Sequence, residues 1–128
     1  MPSLFSQIVK GEIPCHIVAE SDDFLAFLDI NPLAKGHTLV IPKNEINYIF
    51  DIEDNEYQLF WLFAKEVSKK IEAAIDCDRI GIAVIGLEVP HAHIHLVPIN
   101  KVEDIDFSKP KLNFTQDQLS KVALEIRN

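Results

Sequence analysis

Three histidines alternate with apolar residues in the stretch HAHIHLVPIN, which occupies residues 91–100. Successive side chains of a β-strand point to opposite faces, so this pattern predicts a strand with His91, His93 and His95 on one face. The interleaved alanine, isoleucine and leucine then point the other way, toward a hydrophobic core. The chain must therefore contain a sheet that is packed on one side and carries imidazoles on the other.

Other periodic patterns predict the elements around this strand. The long helix should bury one stripe of residues that recur at every fourth position, namely Leu59, Phe63, Val67, Ile71 and Ile75. Shorter helices with hydroxyl caps are predicted at both ends of the chain, and β-branched or alternating runs predict further strands. The predicted strands are 16–20, 24–29, 37–42, 79–86 and 91–99, and the predicted helices are 3–11, 54–75 and 115–126.

Length and composition restrict the class of protein. A chain of 128 residues with 48% hydrophobic and 25% charged residues predicts one soluble globular domain over residues 1–128. Twenty acidic against twelve basic residues give a formal charge of -8, which opposes binding to nucleic acid. No membrane span or signal peptide is expected, and the isolated Cys15 and Cys77 favour a reducing, cytoplasmic compartment.

The histidine face has three possible explanations on the residues alone. It could be a solvated strand face, but three imidazoles in register are unusual, and like charges at this range lower one another's pKa. A neutral imidazole near pH 7 is a nucleophile, a general base or a metal ligand. A single ion cannot easily reach all three positions along a strand, so a metal site would use two histidines with outside residues such as Glu88 or His37.

Two blocks of the sequence resemble a known family. HAHIHLVP fits the HxHxHxx signature of the histidine triad proteins, in which each x is hydrophobic. A second block resembles the amino-terminal half of the nucleoside phosphoramidase branch of that family; it reads LFSQIVKGEIPCHIVAESDDFLAFLDINPLAKGHTLVIPKNEI. The resemblance covers residues 3 to about 99. It implies an α+β fold with an antiparallel sheet of about five strands, one long helix and short terminal helices.

The resemblance also implies catalytic roles. In the family the middle histidine attacks the α-phosphorus of a nucleotide, and water then hydrolyses the nucleotidyl-imidazole intermediate. His93 matches this nucleophile, and His95 matches the donor or general acid beside the phosphate and leaving group. The carbonyl of His91 would hold the other nitrogen of the nucleophile protonated, and His37 would flank the nucleophile.

A nucleotide pocket is implied in the same way. In the family an acidic residue binds the ribose hydroxyls and apolar side chains enclose the base. Asp29 matches the acidic residue, although it could simply close a turn before Asn31-Pro32, and most of the apolar matches would be core residues on periodicity alone. The expected nucleotide-binding residues are Phe5, Ile8, Ile13, Phe27, Asp29, Ile30 and Gly86.

Two departures from the family pattern affect these expectations. Many relatives carry CxxC near the amino terminus, which holds a structural zinc with two histidines, whereas this chain has Ser3 and Ser6; no metal is therefore expected. Before the triad, Leu87 replaces the usual glutamine and Glu88 replaces a hydroxyl that donates to the leaving group. Glu88 could donate as a neutral acid, receive a cationic or amine-bearing leaving group, or face away and leave catalysis slow.

These features predict a cytoplasmic nucleotide hydrolase or nucleotidyl transferase with a nucleoside phosphoramidate as substrate, a purine base favoured and no cofactor. A non-catalytic nucleotide-binding module is the alternative, because the altered GLEV segment could remove turnover. Relatives of this branch pair as homodimers, and the apolar LFWLF stretch at residues 59–63 is more than one sheet would cover. A homodimer is therefore expected.

Overall fold

The structure is a computed structural model that describes residues 2–128 as a five-stranded sheet with helices on both faces. This confirms the predicted α+β fold. Among the described residues, no helix is long and apolar enough to cross a bilayer. The helices are α1 (Leu4–Val9), α2 (Asp54–Ala74) and α3 (Gln116–Arg127), the strands are β1 (Ile17–Glu20), β2 (Phe24–Leu28), β3 (Thr38–Pro42), β4 (Arg79–Ala83) and β5 (Ile94–Ile99), and single 3-10 turns span Ile49–Asp51 and Val102–Ile105.

The sheet is antiparallel throughout, with the strand order β1-β2-β3-β5-β4. β5, which begins just after the middle histidine, lies between β3 and β4, while β1 and β4 form the two edges. His95 is opposite Leu39 on one side and Ala83 on the other. The last histidine is therefore held on both sides by the backbone of its neighbours.

The predicted strand at 91–99 begins three residues later than expected. His91 and Ala92 leave the ladder because the Ala92 N–H bonds to the carbonyl of Ile46, 2.7 Å away, in the loop after β3. The alternation of faces nevertheless persists, because Ala92 and Ile94 join the main core while Phe5 contacts the rings of His91 and His93 from the other side.

Both faces of the central strands are buried, and each face has its own cluster. In β2, alternate residues face the two sides: Phe24 and Ala26 join the main core under α2 and α3, while Leu25 and Phe27 join a smaller cluster under α1. The continuous hydrophobic run of β2 is typical of a strand covered on both sides. The histidine face thus lies with the smaller cluster, and α1 forms its wall.

The predicted stripe on α2 is wrong at its amino-terminal end. Leu59 is 45% exposed, and the buried residues of α2 are Phe60, Ala64, Val67 and Ile71. A repeat of four residues drifts by about 40° at each step around a helix of about 3.6 residues per turn, so five such residues cannot share one face. The spacing of four, three and four residues follows the helical period and keeps the buried side chains together.

The corrected stripe predicts different effects for two alanines on α2. Ala64→Leu should destabilise the fold by about 1–3 kcal/mol, because Ala64 is 2% exposed against a close-packed core. Ala73→Leu on the exposed face of α2 should change the free energy of unfolding by less than about 0.5 kcal/mol, since alanine and leucine have similar helix propensities. Urea denaturation of both variants measures this difference, and equal losses would contradict the assigned face.

Candidate active site

A cavity of about 480 Å³ opens on the histidine face of the sheet, between α1 and the loops at 85–89 and 107–111. This volume is in the range of small-molecule sites in proteins. All of the residues predicted to bind a nucleotide line the cavity, together with His93, His95 and Glu88. His37 and His91 lie behind this wall. The lining residues from the prediction are Phe5, Ile8, Ile13, Phe27, Asp29, Ile30 and Gly86.

His93 presents one defined ring nitrogen to this cavity. Its Nδ1 lies 2.7 Å from the carbonyl oxygen of His91. A carbonyl oxygen only accepts, so Nδ1 carries the proton and Nε2 of the neutral ring carries the lone pair. The edge of the Phe5 ring packs against the imidazole at a centroid distance of 5.0 Å. Backbone and packing together hold His93 in the form that a nucleophile requires.

The hydrogen bonds around His95 select the opposite tautomer, in which Nε2 carries the proton and can donate it. The amide N–H of Leu33 donates to Nδ1 of His37 at 3.0 Å, so neutral His37 carries its proton on Nε2. That proton is donated to Nδ1 of His95, 3.0 Å away, which leaves the His95 proton on Nε2. The predicted flanking residue His37 thus contacts His95 directly, and it orients the donor.

Burial keeps these two rings neutral. Desolvation, followed by the charge of His95 and then of Lys111, lowers the pKa of His37 to about 3. Desolvation and the nearby His93 lower the pKa of His95 to about 4. Near neutral pH both rings are therefore uncharged, and the 3.7 Å approach of Asp29 to His37 is not an ion pair.

His91 belongs to a hydrogen-bonded cluster behind the cavity. Its Nε2–H donates to the carbonyl of Pro42 at 2.7 Å, so Nδ1 is free to accept the hydroxyl proton of Ser3 at 2.8 Å. Ser6 donates to the carboxylate of Glu45 at 2.7 Å, and the amide of Ser3 donates to the same oxygen. These bonds, that of the Ser3 amide foremost, lower the pKa of Glu45 to about 2.

This cluster contains Ser3 and Ser6, the two serines that stand in place of the CxxC motif described above. Ser3 is also the N-cap of α1, since its hydroxyl oxygen accepts the amide of Ser6 at 3.0 Å. Both hydroxyls thus have protein partners that fit their chemistry. Glu45, which is 39 residues from Ser6, was not predicted, because no local pattern places a loop carboxylate beside a helix start.

The carboxylate of Asp29 forms the Asx turn that the sequence allowed. One oxygen accepts the amide of Asn31 at 2.8 Å, and the residue also lines the cavity. Burial is the main cause that raises the pKa of Asp29, partly offset by the Asn31 amide. Turn formation and access to a ligand are therefore compatible for this residue.

Asp29, His37 and His95 bring three potential metal-ligand atoms within 4.8 Å of one another. A metal ion on Nε2 of a neutral His37 would require the ring proton on Nδ1, where the Leu33 amide already points a donor. Two donors would then face each other in a buried site. The hydrogen bonding of His37 thus favours a relay to His95 over a metal site.

The GLEV segment forms the opposite rim of the cavity. Gly86 has a φ of 76°, in the left-handed region that favours glycine. Leu87 is 88% exposed, and Glu88 lines the cavity, where its charge contributes to the raised pKa of Asp29. The side chain of Glu88 is exposed at this rim, and its role in the reaction stays a prediction.

Phe107 and Lys111 are among the lining residues that the sequence did not predict. The ring centroids of Phe107 and His95 are 4.7 Å apart, and Lys111 is the one lysine or arginine on the cavity wall among residues 2–128. Both lie in the segment DFSKPKLN, which has no hydrophobic period and was predicted only as a loop. In the sequence, a lysine that lines a cavity cannot be distinguished from a lysine on the solvated surface.

Comparisons with known proteins agree with this geometry. The model of the HIT domain matches residues 10–102. A HIT-like protein of Methanocaldococcus jannaschii is 40% identical over 74% of this chain and 77% of its own length. An adenosine 5'-monophosphoramidase of Schizosaccharomyces pombe is 36% identical over 77% of this chain and 74% of its own length.

The fold comparison reaches further along the chain. The crystal structure of a Hit-like protein involved in cell-cycle regulation from Bartonella henselae superposes with a TM-score of 0.86 at 28% identity. The match covers 98% of this chain and 93% of that one. Family model, sequence relatives and fold therefore give the same answer: the chain belongs to the HIT, or histidine triad, family.

Proposed function

We propose that this protein hydrolyses or transfers the nucleotidyl group of a nucleoside phosphoramidate, through a covalent intermediate on His93. The observation that carries the proposal is the bond from His93 Nδ1–H to the His91 carbonyl, which leaves Nε2 as a lone pair in a nucleotide-sized cavity. Relatives with adenosine 5'-monophosphoramidase activity in their names support this substrate class, with a purine favoured.

In the proposed reaction Nε2 of His93 attacks the α-phosphorus and the bond from phosphorus to the leaving nitrogen breaks. The leaving nitrogen takes up a proton from solvent water and departs as an amine. A second water then attacks phosphorus, gives a proton back to solvent, and the bond from phosphorus to Nε2 breaks, which releases the nucleotide and restores neutral His93. His95 lines the same cavity, and its Nδ1 is occupied by His37, so its Nε2–H is the ring donor left for a ligand. With a pKa of about 4 it is neutral, so it acts first as a hydrogen-bond donor to developing negative charge.

The pocket composition supports a nucleoside as the group that is bound. Phe5, Ile8, Phe27 and Ile30 form an apolar wall large enough to enclose a base, while Asp29 lies at the polar end near the histidines. A carboxylate in that place accepts hydrogen bonds from ribose hydroxyls. Phe5 also contacts His93, so the same residue joins the base wall to the nucleophile.

A binding module without turnover is the second candidate, favoured by Glu88 on the cavity wall beside Asp29. Two carboxylates near a phosphate would weaken binding and oppose attack on an anion. The two candidates differ in one product. Mass spectrometry after mixing with an adenosine phosphoramidate should detect an acid-sensitive nucleotidyl adduct on His93 if the protein is the proposed enzyme.

We also propose that the protein forms a homodimer through an apolar flank made of Tyr48, Phe50, Ile82, Ile85 and Leu87. All five side chains are about half exposed or more, and they line a second cavity of about 550 Å³ that reaches His93. β4 is an edge strand that pairs only with β5, so its outer backbone groups are free to pair with a second copy. A second copy would therefore cover both the strand edge and the flank.

His93→Ala should lower kcat for phosphoramidate hydrolysis by at least about a thousandfold, because the first covalent step is lost. Nucleotide affinity should be largely retained, since the base and ribose contacts come from other segments. The loss should be smaller for His91→Ala, which keeps the backbone carbonyl, and intermediate for His95→Ala. Steady-state kinetics and nucleotide titration measure this, with surface His16→Ala as the control. Substantial turnover by pure His93→Ala protein would exclude the proposed nucleophile.

Glu88→Ser should raise kcat/KM for phosphoramidates, because it restores a hydroxyl donor and removes a negative charge beside the phosphate. Glu88→Gln serves as the matched variant, since it removes the charge without supplying the hydroxyl. If both variants gain equally, the charge is the cause. An unchanged or lower kcat/KM for Glu88→Ser would contradict the role assigned to this residue.

Ile82→Glu should convert the proposed dimer to monomer, because a charge on β4 would be buried against the second copy. Sedimentation velocity of wild type and variant measures the change. Leu124→Glu, on the exposed face of α3, is the matched control and should leave the assembly unchanged. Wild-type protein that is monomeric at every concentration would refute the proposed assembly.

A further inference from the structure

The segment Asp106–Leu112, here called the strap, crosses the site after β5. Its first turn is fixed by the carboxylate of Asp106, which accepts the amide and the hydroxyl of Ser108 at 3.0 and 2.6 Å. Its far end is fixed by the Leu112 amide, which donates to the carbonyl of Pro32 at 2.8 Å. Between these points Phe107 packs on His95. The strap is thus a built wall of the cavity that holds Lys111 beside the histidines.

The charges on the cavity wall do not balance without this lysine. Among the described residues of the wall, Asp29 and Glu88 are acidic and Lys111 is the one lysine or arginine. His37 and His95 contribute no compensating charge near neutral pH, because both rings are buried and neutral. The whole chain has a formal charge of -8, so long-range attraction of an anion is absent as well. Lys111 is therefore the lysine of the described cavity wall that can supply a counter-charge to a phosphate.

The hydrogen bonds of the Lys111 ammonium leave it able to bind a phosphate in the cavity. Its Nζ donates to the carbonyls of Phe107 and Lys109, at 2.7 and 3.1 Å, within the strap itself. Both partners are neutral, and an ammonium has three protons to donate. Its positive charge already acts on the site, since it lowers the pKa of both Asp29 and His37. A phosphate oxygen is a stronger acceptor than either carbonyl.

We propose that Lys111 binds the phosphate of the substrate and makes the site selective for anionic nucleotides over the corresponding neutral nucleosides. This inference rests on the proposed nucleotide function and adds a binding residue to it. Phe107 positions the strap on His95, and Lys111 supplies a positive charge that the neutral ring of His95 does not. The ligand class is the anionic nucleoside phosphoramidate of the proposed reaction and the nucleoside 5'-monophosphate that the reaction releases.

The test compares each nucleotide with its own nucleoside. Titration calorimetry of AMP, adenosine, GMP and guanosine is performed on wild type, Lys111→Met, Lys111→Arg and Lys109→Met. Lys111→Met should weaken binding of the preferred nucleotide about tenfold or more and leave the nucleoside affinity unchanged. Lys111→Arg should keep most of the affinity. Lys109→Met, an exposed residue of the same turn outside the cavity wall, should bind as wild type does.

The outcomes separate this inference from the function on which it rests. Equal nucleotide affinity in Lys111→Met and wild type, or equal losses for nucleotide and nucleoside, would overturn the role of Lys111 while leaving the enzyme proposal intact. A wild-type protein that binds neither nucleotide would overturn both. Circular dichroism melting of Lys111→Met verifies that the strap substitution leaves the fold stable, as an exposed lysine predicts.

Discussion

The hydrogen bond from His93 Nδ1 to the backbone carbonyl of His91 is the interaction on which the chemistry of this site depends. It decides which ring nitrogen faces the cavity. The same principle applies to the other two pairs, since the Leu33 amide fixes His37 and the Pro42 carbonyl fixes His91. In each case a backbone group, whose donor or acceptor character cannot change, selects the tautomer. The reactive forms of the rings are therefore consequences of the fold and are present before any ligand arrives.

The sequence predicted the sheet well because its strands are short. A two-residue alternation over five or six residues leaves little room for error, and β2 also reads as a continuous apolar run that only a doubly covered strand tolerates. The long helix was harder. Over the 21 residues of α2 the small angular error of a four-residue repeat accumulates, so Leu59 was assigned to the core in place of Phe60.

The candidate site was only partly accessible to sequence reasoning, for a similar physical reason. The triad and the apolar wall belong to regular elements or to blocks that resemble the family, and those residues could be named in advance. Glu45, Phe107 and Lys111 come to the site from loops, which long-range contacts such as that of the Leu112 amide to the Pro32 carbonyl hold in place. Loop positions of this kind have no period in the sequence, so their neighbours become known only with the fold.

Ser3 joins two features that are usually separate in a protein. Its hydroxyl oxygen caps the first turn of α1, and its hydroxyl proton bonds to His91, whose carbonyl holds the nucleophile. Local opening of α1, a helix of six residues, would break both bonds at once. Phe5 would leave the cavity wall in the same event. The start of α1, one wall of the cavity and the residue that anchors the nucleophile therefore depend together on one serine.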